Sequence, residues 1–218
     1  MKTINDLLPT LSPVDNLSAN PAVKQSVVLS PALQHKVNSL LSTHSDLQSF
    51  MRVMNPTLQQ YSAEHVERAF FGTAPTLFTL RHAYHDDAAT IWMLPQLYDL
   101  NEYCGCKEKL DEAQMTQLAR IIVNEFGYLK VSEIMLFLHR FKSGRYGRFY
   151  GAVDPLVIVT ALRYNFMNER ADAIDERERA QERTEWEAHC REVARERAEA
   201  HADGRPMYPR MVTPPKQE

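Results

Sequence analysis

The chain has 218 residues, of which 44% are apolar, with 12 prolines and only 7 glycines. This length allows one domain with appended segments. The formal net charge of −3 excludes an evenly basic, histone-like chain, so any contact with nucleic acid has to come from a local basic patch.

The N-terminal segment, residues 1–29, combines prolines with scattered Leu and Val residues that follow no sustained period, which predicts a disordered arm. A frayed terminus is favoured over a docking motif for its apolar cluster, which consists of Ile4, Leu7, Leu8 and Leu11. Ser30-Pro31 has the pattern of an N-cap followed by proline at the first helical position, so the first helix is predicted to begin there.

The next elements are short helices separated by turn residues. Helical character continues from Asp46 to Asn55-Pro56, and Ser62 is predicted to cap a short turn that ends at Gly72. From residue 77 to residue 103 large apolar residues recur at spacings of three and four, which predicts helix with a break near Asp86-Asp87 or at Pro95.

The middle of the chain has the clearest helical pattern. Asp111 and Gln114 form a capping-box pattern ahead of a helix that stops at Gly127, and Ser132 is predicted to cap a second helix that ends at Gly144. These two helices predict a helical hairpin. A glycine-rich loop over residues 144–151 follows, and then Asp154-Pro155 open a further helix.

The composition changes beyond residue 168. Residues 169–203 contain 12 acidic residues and 7 arginines, a local balance of −5 that leaves +2 for the rest of the chain. Because few large apolar side chains occur there, the segment is predicted to be a charged helical extension stabilised by i, i+4 ion pairs. A solvated single helix is favoured over a coiled coil, which the spacing of seven between Trp186, Val193 and Ala200 would suggest. Residues 204–218 are predicted to be a disordered tail.

The glycine-rich loop and the helix before it form a basic, aromatic segment. Residues 134–153 contain no acidic residue and carry a local charge of +4. Arginines pair with phosphates and aromatic rings stack on bases, so this segment is the predicted nucleic-acid contact, with the following helix N-terminus as an additional anion site. The predicted contact residues are Arg140, Lys142, Arg145, Tyr146, Arg148 and Tyr150. Four phosphate contacts on duplex DNA would give a salt slope of about −3.6.

The structural alternative is open at this point. In that interpretation Phe149 and Tyr150 pack inward as a plug between helices, and the arginines satisfy helix carbonyls or the acidic extension. The loop would then be a fold determinant, and the protein would be an interaction module.

Other chemistry receives less support from the sequence. The glycine spacing fits neither the dinucleotide fingerprint nor the phosphate loop, which disfavours ATP binding. His82, His85, Asp86 and Asp87 could bind a divalent metal, but a polar helix end is favoured, so no metal, cofactor or catalytic residue is predicted. The three cysteines, Cys104, Cys106 and Cys190, are too few for a disulfide framework, and no run approaches 18 apolar residues. A cytoplasmic protein without signal peptide or membrane span is expected.

A resemblance adds to these observations. Residues 140–155 read R-F-K-S-G-R-Y-G-R-F-Y-G-A-V-D-P, and the surrounding block, residues 117–170, is similar to a family of helical proteins of unknown function from bacterial mobile elements and phages. A fainter similarity is to phage replication accessory proteins that act on a replicative helicase. The resemblance implies that the loop belongs to the core motif of the family, and it assigns no activity.

Together these patterns predict an all-α protein with a helical domain over residues 30–168 and a charged extension over residues 169–203. The predicted function is a non-enzymatic accessory factor for DNA replication or maintenance of a mobile element or phage, with DNA and a protein of the replication machinery as partners. The protein partner is expected to contact the tails or the charged helix. The alternative is a protein-interaction module whose charged helix self-associates into a homo-oligomer.

Overall fold

The computed structural model describes residues 29–202, and over this range the protein is helical and has no β-strand. The predicted all-α class is confirmed. The helices are α1 (Pro31–Thr43), α2 (Leu47–Val53), α3 (Leu58–Glu64), α4 (Val66–Phe71), α5 (Leu77–Ala83), α6 (Ala88–Tyr103), α7 (Glu112–Glu125), α8 (Val131–Lys142), α9 (Pro155–Thr160) and α10 (Met167–Ala202), with a π-helical stretch at Ala161–Phe166. Apart from Leu29, the predicted arm and the predicted tail lie outside the described residues.

Three predicted helix starts are confirmed by side-chain caps. The Ser30 hydroxyl accepts a hydrogen bond from the Leu33 N–H at 3.3 Å, and Pro31 occupies the first helical position. Asp111 and Gln114 form the reciprocal capping box, with distances of 2.8 and 3.0 Å. The Asp154 carboxylate accepts from the Leu156 N–H at 2.8 Å. Each cap satisfies an amide that would otherwise lack an intrahelical partner.

Two other predicted caps are wrong, because tertiary contacts take the two hydroxyls. Ser62 lies inside α3, where it is buried and its hydroxyl faces the Met135 sulfur at 3.9 Å. Ser132 lies inside α8, and its hydroxyl donates to the Ala69 carbonyl at 2.8 Å. The N-cap residue of α8 is Lys130, whose N–H donates to the buried Glu133 carboxylate at 2.7 Å.

The break predicted within residues 77–103 falls at the turn that contains Asp86-Asp87, and not at Pro95. Pro95 lies inside α6, which is continuous over 16 residues. A proline cannot donate to the carbonyl four residues earlier, here that of Ile91, yet α6 holds because its neighbours Trp92, Met93 and Gln96 are fully buried.

The core of the first compact unit, which ends at Leu162, is centred on α8. Eight of the twelve residues of α8 are buried, and this helix packs chiefly against α3 and also contacts α4 and α6. Helix α7 packs chiefly against α6. The consecutive helices α7 and α8 are joined by a short connection, but each finds its main partner in an earlier helix.

The connection between α7 and α8 pairs with a remote segment. The N–H of Val131 donates to the Pro75 carbonyl at 3.0 Å, that of Leu77 to Leu129 at 3.0 Å, and that of Phe78 to Gly127 at 2.8 Å. A Cβ at Gly127 would lie 2.8 Å from the Phe78 ring, so this close approach requires glycine.

The second compact unit begins at Arg163 and consists mainly of α10, a 36-residue helix that confirms the predicted long charged helix. Between residues 175 and 202, four side chains have reduced exposure: Trp186, Cys190, Val193 and Ala200. They lie at helical spacing on one stripe that includes the predicted heptad positions. No helix within residues 29–202 is both long and apolar enough to span a bilayer.

Candidate nucleic-acid interface

The loop between α8 and α9 is shaped by its glycines. Gly144, Gly147 and Gly151 have φ values of 80°, 106° and 85°, a region that residues with a Cβ rarely adopt. Two backbone hydrogen bonds close the first turn: Gly144 N–H donates to the Phe141 carbonyl at 2.9 Å, and Arg145 N–H donates to that of Arg140 at 3.1 Å. The loop therefore reverses direction directly at the end of α8.

The end of this loop pairs with the segment before α7. Val153 N–H donates to the Glu108 carbonyl at 2.9 Å, and Glu108 N–H approaches the Gly151 carbonyl at 3.4 Å. This pairing brings Lys107 and Lys109 beside the loop. Their proximity to the loop could not be predicted, because the two lysines lie about 40 residues earlier in the sequence. The ammonium of Lys109 is bound to the Glu102 carboxylate at 2.6 Å, whereas Lys107 is exposed.

Two rings of the loop pack against α8. Tyr146 stacks on Phe137 with a centroid distance of 5.6 Å and an interplanar angle of 19°, and Phe149 lies 5.2 Å from Phe141. The inward plug of the structural alternative is therefore present, with Tyr146 rather than Tyr150 as the partner of Phe149. Tyr146 is one of the predicted contact residues, and its ring packs against Phe137 and Phe141 of α8.

Two of the predicted cations are engaged with other parts of the fold. The Lys142 ammonium lies 2.5 Å from an Asp99 carboxylate oxygen and 5.5 Å from the centroid of the Tyr103 ring. The Arg140 guanidinium lies 5.8 Å from the centroid of the Phe70 ring. The three partners, Asp99, Tyr103 and Phe70, are 39 or more positions away in sequence, so sequence spacing alone did not indicate these contacts.

The remaining predicted residues lie on the outer side of the loop. Tyr150 is 83% exposed, and the Arg148 guanidinium lies 5.4 Å from the centroid of its ring. Arg145 is exposed as well. The exposed pair of Arg148 and Tyr150 therefore lies on the outer side of the loop. Arg145 is on the same loop, and Lys107 is on the segment that pairs with the end of the loop. Tyr146, by contrast, packs inward on α8.

The predicted anion site at the start of α9 is filled from within the chain. The Asp154 carboxylate accepts the Leu156 N–H, and α9 has only six residues. A carboxylate in this position repels a phosphate, so this part of the prediction is wrong.

Lys142 and Asp99 also line a cleft of about 1260 Å³. Its wall includes Tyr98, Tyr103 and Lys142. Gln59 is buried and lines this cleft: its Nε2 donates to Gln96 Oε1 at 2.8 Å, while its Oε1 has no hydrogen-bond partner among the described residues. Because this cleft contains both acidic and basic side chains, its charge favours no single class of ligand.

The candidate metal-binding residues of the sequence lie at exposed positions. His82, His85, Asp86 and Asp87 are exposed around the end of α5, and the described residues contain no group of three or more His, Cys, Asp or Glu side chains that could hold a metal ion. Burial and the neighbouring Cys106 raise the pKa of the Cys104 thiol to about 11, so little reactive thiolate forms there at neutral pH.

Comparison with known proteins shows a similarity to a protein family. Residues 109–195 are similar to a family of unknown function, DUF6633. The matched range contains the glycine-rich loop and most of α10. No curated protein and no solved structure matches the chain.

Proposed function

We propose that this protein is a non-enzymatic accessory factor for DNA replication or maintenance of a mobile element or phage, and that it contacts nucleic acid through the outer side of the glycine-rich loop. The resemblance of residues 140–155 to proteins of such elements supports the biological setting. The proposed contact residues are Lys107, Arg145, Arg148 and Tyr150.

The observation that carries the proposal is the Arg148–Tyr150 pair. A tyrosine ring that is 83% exposed loses hydrophobic stabilisation by remaining in water, and here an arginine lies against it on a loop with three left-handed glycines. Base stacking on such a ring contributes about 1–3 kcal/mol per base, and the arginine supplies a phosphate contact.

The inward rings make this outer pair a defined surface. Tyr146 and Phe149 anchor the loop on Phe137 and Phe141, so the loop does not need a ligand to hold its path. Tyr150 and Arg148 are then presented on a fixed scaffold, which lowers the entropy lost on binding.

Fluorescence anisotropy with a labelled 30-nucleotide single strand, and with the same sequence as duplex, tests the proposal. We expect the double variant Arg148→Ala/Tyr150→Ala to weaken binding by at least about tenfold, because it removes a ring that can stack on a base and a cation that can contact a phosphate. The matched control is Arg120→Ala/Ile121→Ala, which removes an exposed cation and an exposed large side chain from α7. Wild-type protein that binds neither probe, or equal affinity of the two double variants, would overturn the proposal.

A second candidate function rests on α10. The stripe of Trp186, Cys190, Val193 and Ala200 has the spacing of a helix-packing seam on an otherwise charged helix. In this interpretation the protein is an assembly module. Sedimentation equilibrium that shows a dimer, lost in Trp186→Ser but retained in the opposite-face variant Arg195→Ser, would favour this candidate over a monomeric nucleic-acid-binding protein.

A further inference from the structure

A second cleft of the first unit has a different character from the loop and from the mixed-charge cleft. It has a volume of about 870 Å³, within the usual range for small-molecule sites. Residues of α1, α3 and α4 line it together with the connection before α5 and the start of α8. Sequence positions 35–44, 50–58, 61–79 and 130–135 therefore contribute to one concave surface.

The charges that line this cleft are of one sign. Lys36, Arg68 and Lys130 are basic, three histidines accompany them, and no carboxylate occurs among the described residues that line it. The chain has more acidic than basic residues overall, 28 against 25, so a lining without carboxylates departs from its composition. The positive potential of these cations adds in the concavity, because low-dielectric walls reduce its screening.

The two exposed cations are not paired with acidic side chains. Arg68 Nη1 donates to the Tyr61 hydroxyl at 3.0 Å, and its guanidinium lies 5.8 Å from the centroid of the Tyr61 ring. Lys36 has no ion pair among the described residues, and neither has Arg68. Their charge is available to a ligand.

Lys130 is held in place by the fold. Its ammonium donates to the Phe70 carbonyl at 2.6 Å and to the Gly72 carbonyl at 2.9 Å, at the C-terminal end of α4. The nearest acidic group on its own helix is Glu133, which is 1% exposed and lies outside the cleft lining. Lys130 therefore has a structural role in the wall, and Lys36 and Arg68 are the exposed cations of the lining.

The neutral part of the lining supplies donors and an apolar base. Ser39 and Thr73 lie on the lining with exposed side chains and carry hydroxyl donors, whereas the Thr43 hydroxyl donates to the Ser39 carbonyl at 3.0 Å. Leu40, Met54 and Leu58 provide the apolar surface. His65 stacks on Tyr61 with a centroid distance of 4.2 Å, which makes a rigid rim beside Arg68.

We propose that this cleft binds an organic phosphate, a small molecule with a phosphate monoester on an apolar body. Two exposed cations from separate elements, Lys36 of α1 and Arg68 of α4, match the charge of nearly −2 of a phosphate monoester better than they match a single carboxylate. The apolar base accommodates the body of the ligand, and Lys36 and Arg68 are assigned as the main phosphate contacts.

Isothermal titration calorimetry with phenyl phosphate tests this assignment. Inorganic phosphate and phenol are the two control ligands, because each has one half of the proposed recognition. We expect phenyl phosphate to bind more tightly than either, and Lys36→Gln and Arg68→Gln each to raise its Kd about tenfold, since one charge-assisted contact is lost in each.

The matched control protein is Arg52→Gln/Arg120→Gln, which changes the net charge by the same amount as Lys36→Gln/Arg68→Gln but outside this cleft. We expect it to bind phenyl phosphate like the wild type. The Lys36 side chain makes no hydrogen bond or ion pair with another described residue, so Lys36→Gln tests the cleft even if Arg68→Gln disturbs α4.

Three results would overturn the proposal: no saturable binding of phenyl phosphate to the wild type, an unchanged Kd in Lys36→Gln, or loss of oligonucleotide rather than phenyl phosphate binding in the double variant. The last result would assign the cleft to a nucleic-acid surface. The proposal does not depend on the loop, because Arg148→Ala/Tyr150→Ala is expected to bind phenyl phosphate normally.

Discussion

Basic residues are used differently in the glycine-rich loop and in the cleft lined by Lys36, Arg68 and Lys130. In the loop segment the four cations lie within nine residues of each other, but the fold engages Lys142 with Asp99 and places Arg140 against Phe70. In the cleft, Lys36 and Arg68 are 32 positions apart, yet both line one concavity without an acidic partner. Linear charge density is therefore a poor guide to the charge that a ligand meets.

The largest expected effect concerns the inward half of the loop. Phe141 is 3% exposed and contacts Phe137, Tyr146 and Phe149, so Phe141→Ala is expected to lower the free energy of unfolding by about 3–5 kcal/mol. Urea denaturation followed by circular dichroism measures the change. A loss below about 1 kcal/mol would show that the loop is not anchored on α8.

The next effect concerns the fixed cation of the cleft. Lys130→Met leaves the Phe70 and Gly72 carbonyls without their donor, which is expected to cost about 1–3 kcal/mol in the same measurement. Lys36→Met is the control and is expected to stay within about 0.5 kcal/mol of the wild type, because Lys36 is exposed. Equal losses would contradict the distinction between a structural and an available cation.

A smaller effect concerns the pair that removes Lys142 from the loop surface. The two side chains are 15% and 37% exposed, so solvent screens their attraction. A double-mutant cycle with Lys142→Gln and Asp99→Asn is expected to give a coupling energy of about 1 kcal/mol. A coupling energy near zero would show that Asp99 does not hold Lys142, and Lys142 would then count among the cations able to contact a phosphate.

The smallest expected effect on stability belongs to the outer side of the loop. Tyr150→Ala is expected to change the free energy of unfolding by less than about 0.5 kcal/mol, because the ring is 83% exposed.

The salt dependence of DNA binding sharpens the comparison further. With Lys107, Arg145 and Arg148 as phosphate contacts, the slope on duplex DNA is expected to be about −2.7, whereas contacts by all four cations of the loop segment would give about −3.6.

The features that could be predicted from the sequence depend on local rules. The caps at Ser30, Asp111 and Asp154 were predictable because the capping hydroxyl or carboxylate and the amide that it accepts from lie within three residues of each other. The prediction failed at Ser62 and Ser132, where a helical neighbour from elsewhere in the chain takes the hydroxyl. Capping is a local competition that tertiary packing can decide.

The candidate sites were predictable only in part, for the same reason. The glycine positions and the basic, aromatic composition placed the loop correctly, but the sequence does not show that Tyr146 faces α8 and Tyr150 faces water. The cleft could not be predicted, because its cations become neighbours only after α1, α4 and α8 pack. Lys107 was missed because the Glu108–Gly151 pairing is nonlocal.

The pairing of residues 75–78 with residues 127–131 has a consequence for the order of folding. Its three hydrogen bonds close a ring of about 50 residues, and the chain entropy lost on closure has to be overcome before those bonds contribute. We therefore expect α6 and α7 to associate first and the amides of Leu77, Phe78 and Val131 to become protected later and together. Pulse-labelling hydrogen exchange during refolding would reveal them as one kinetic group.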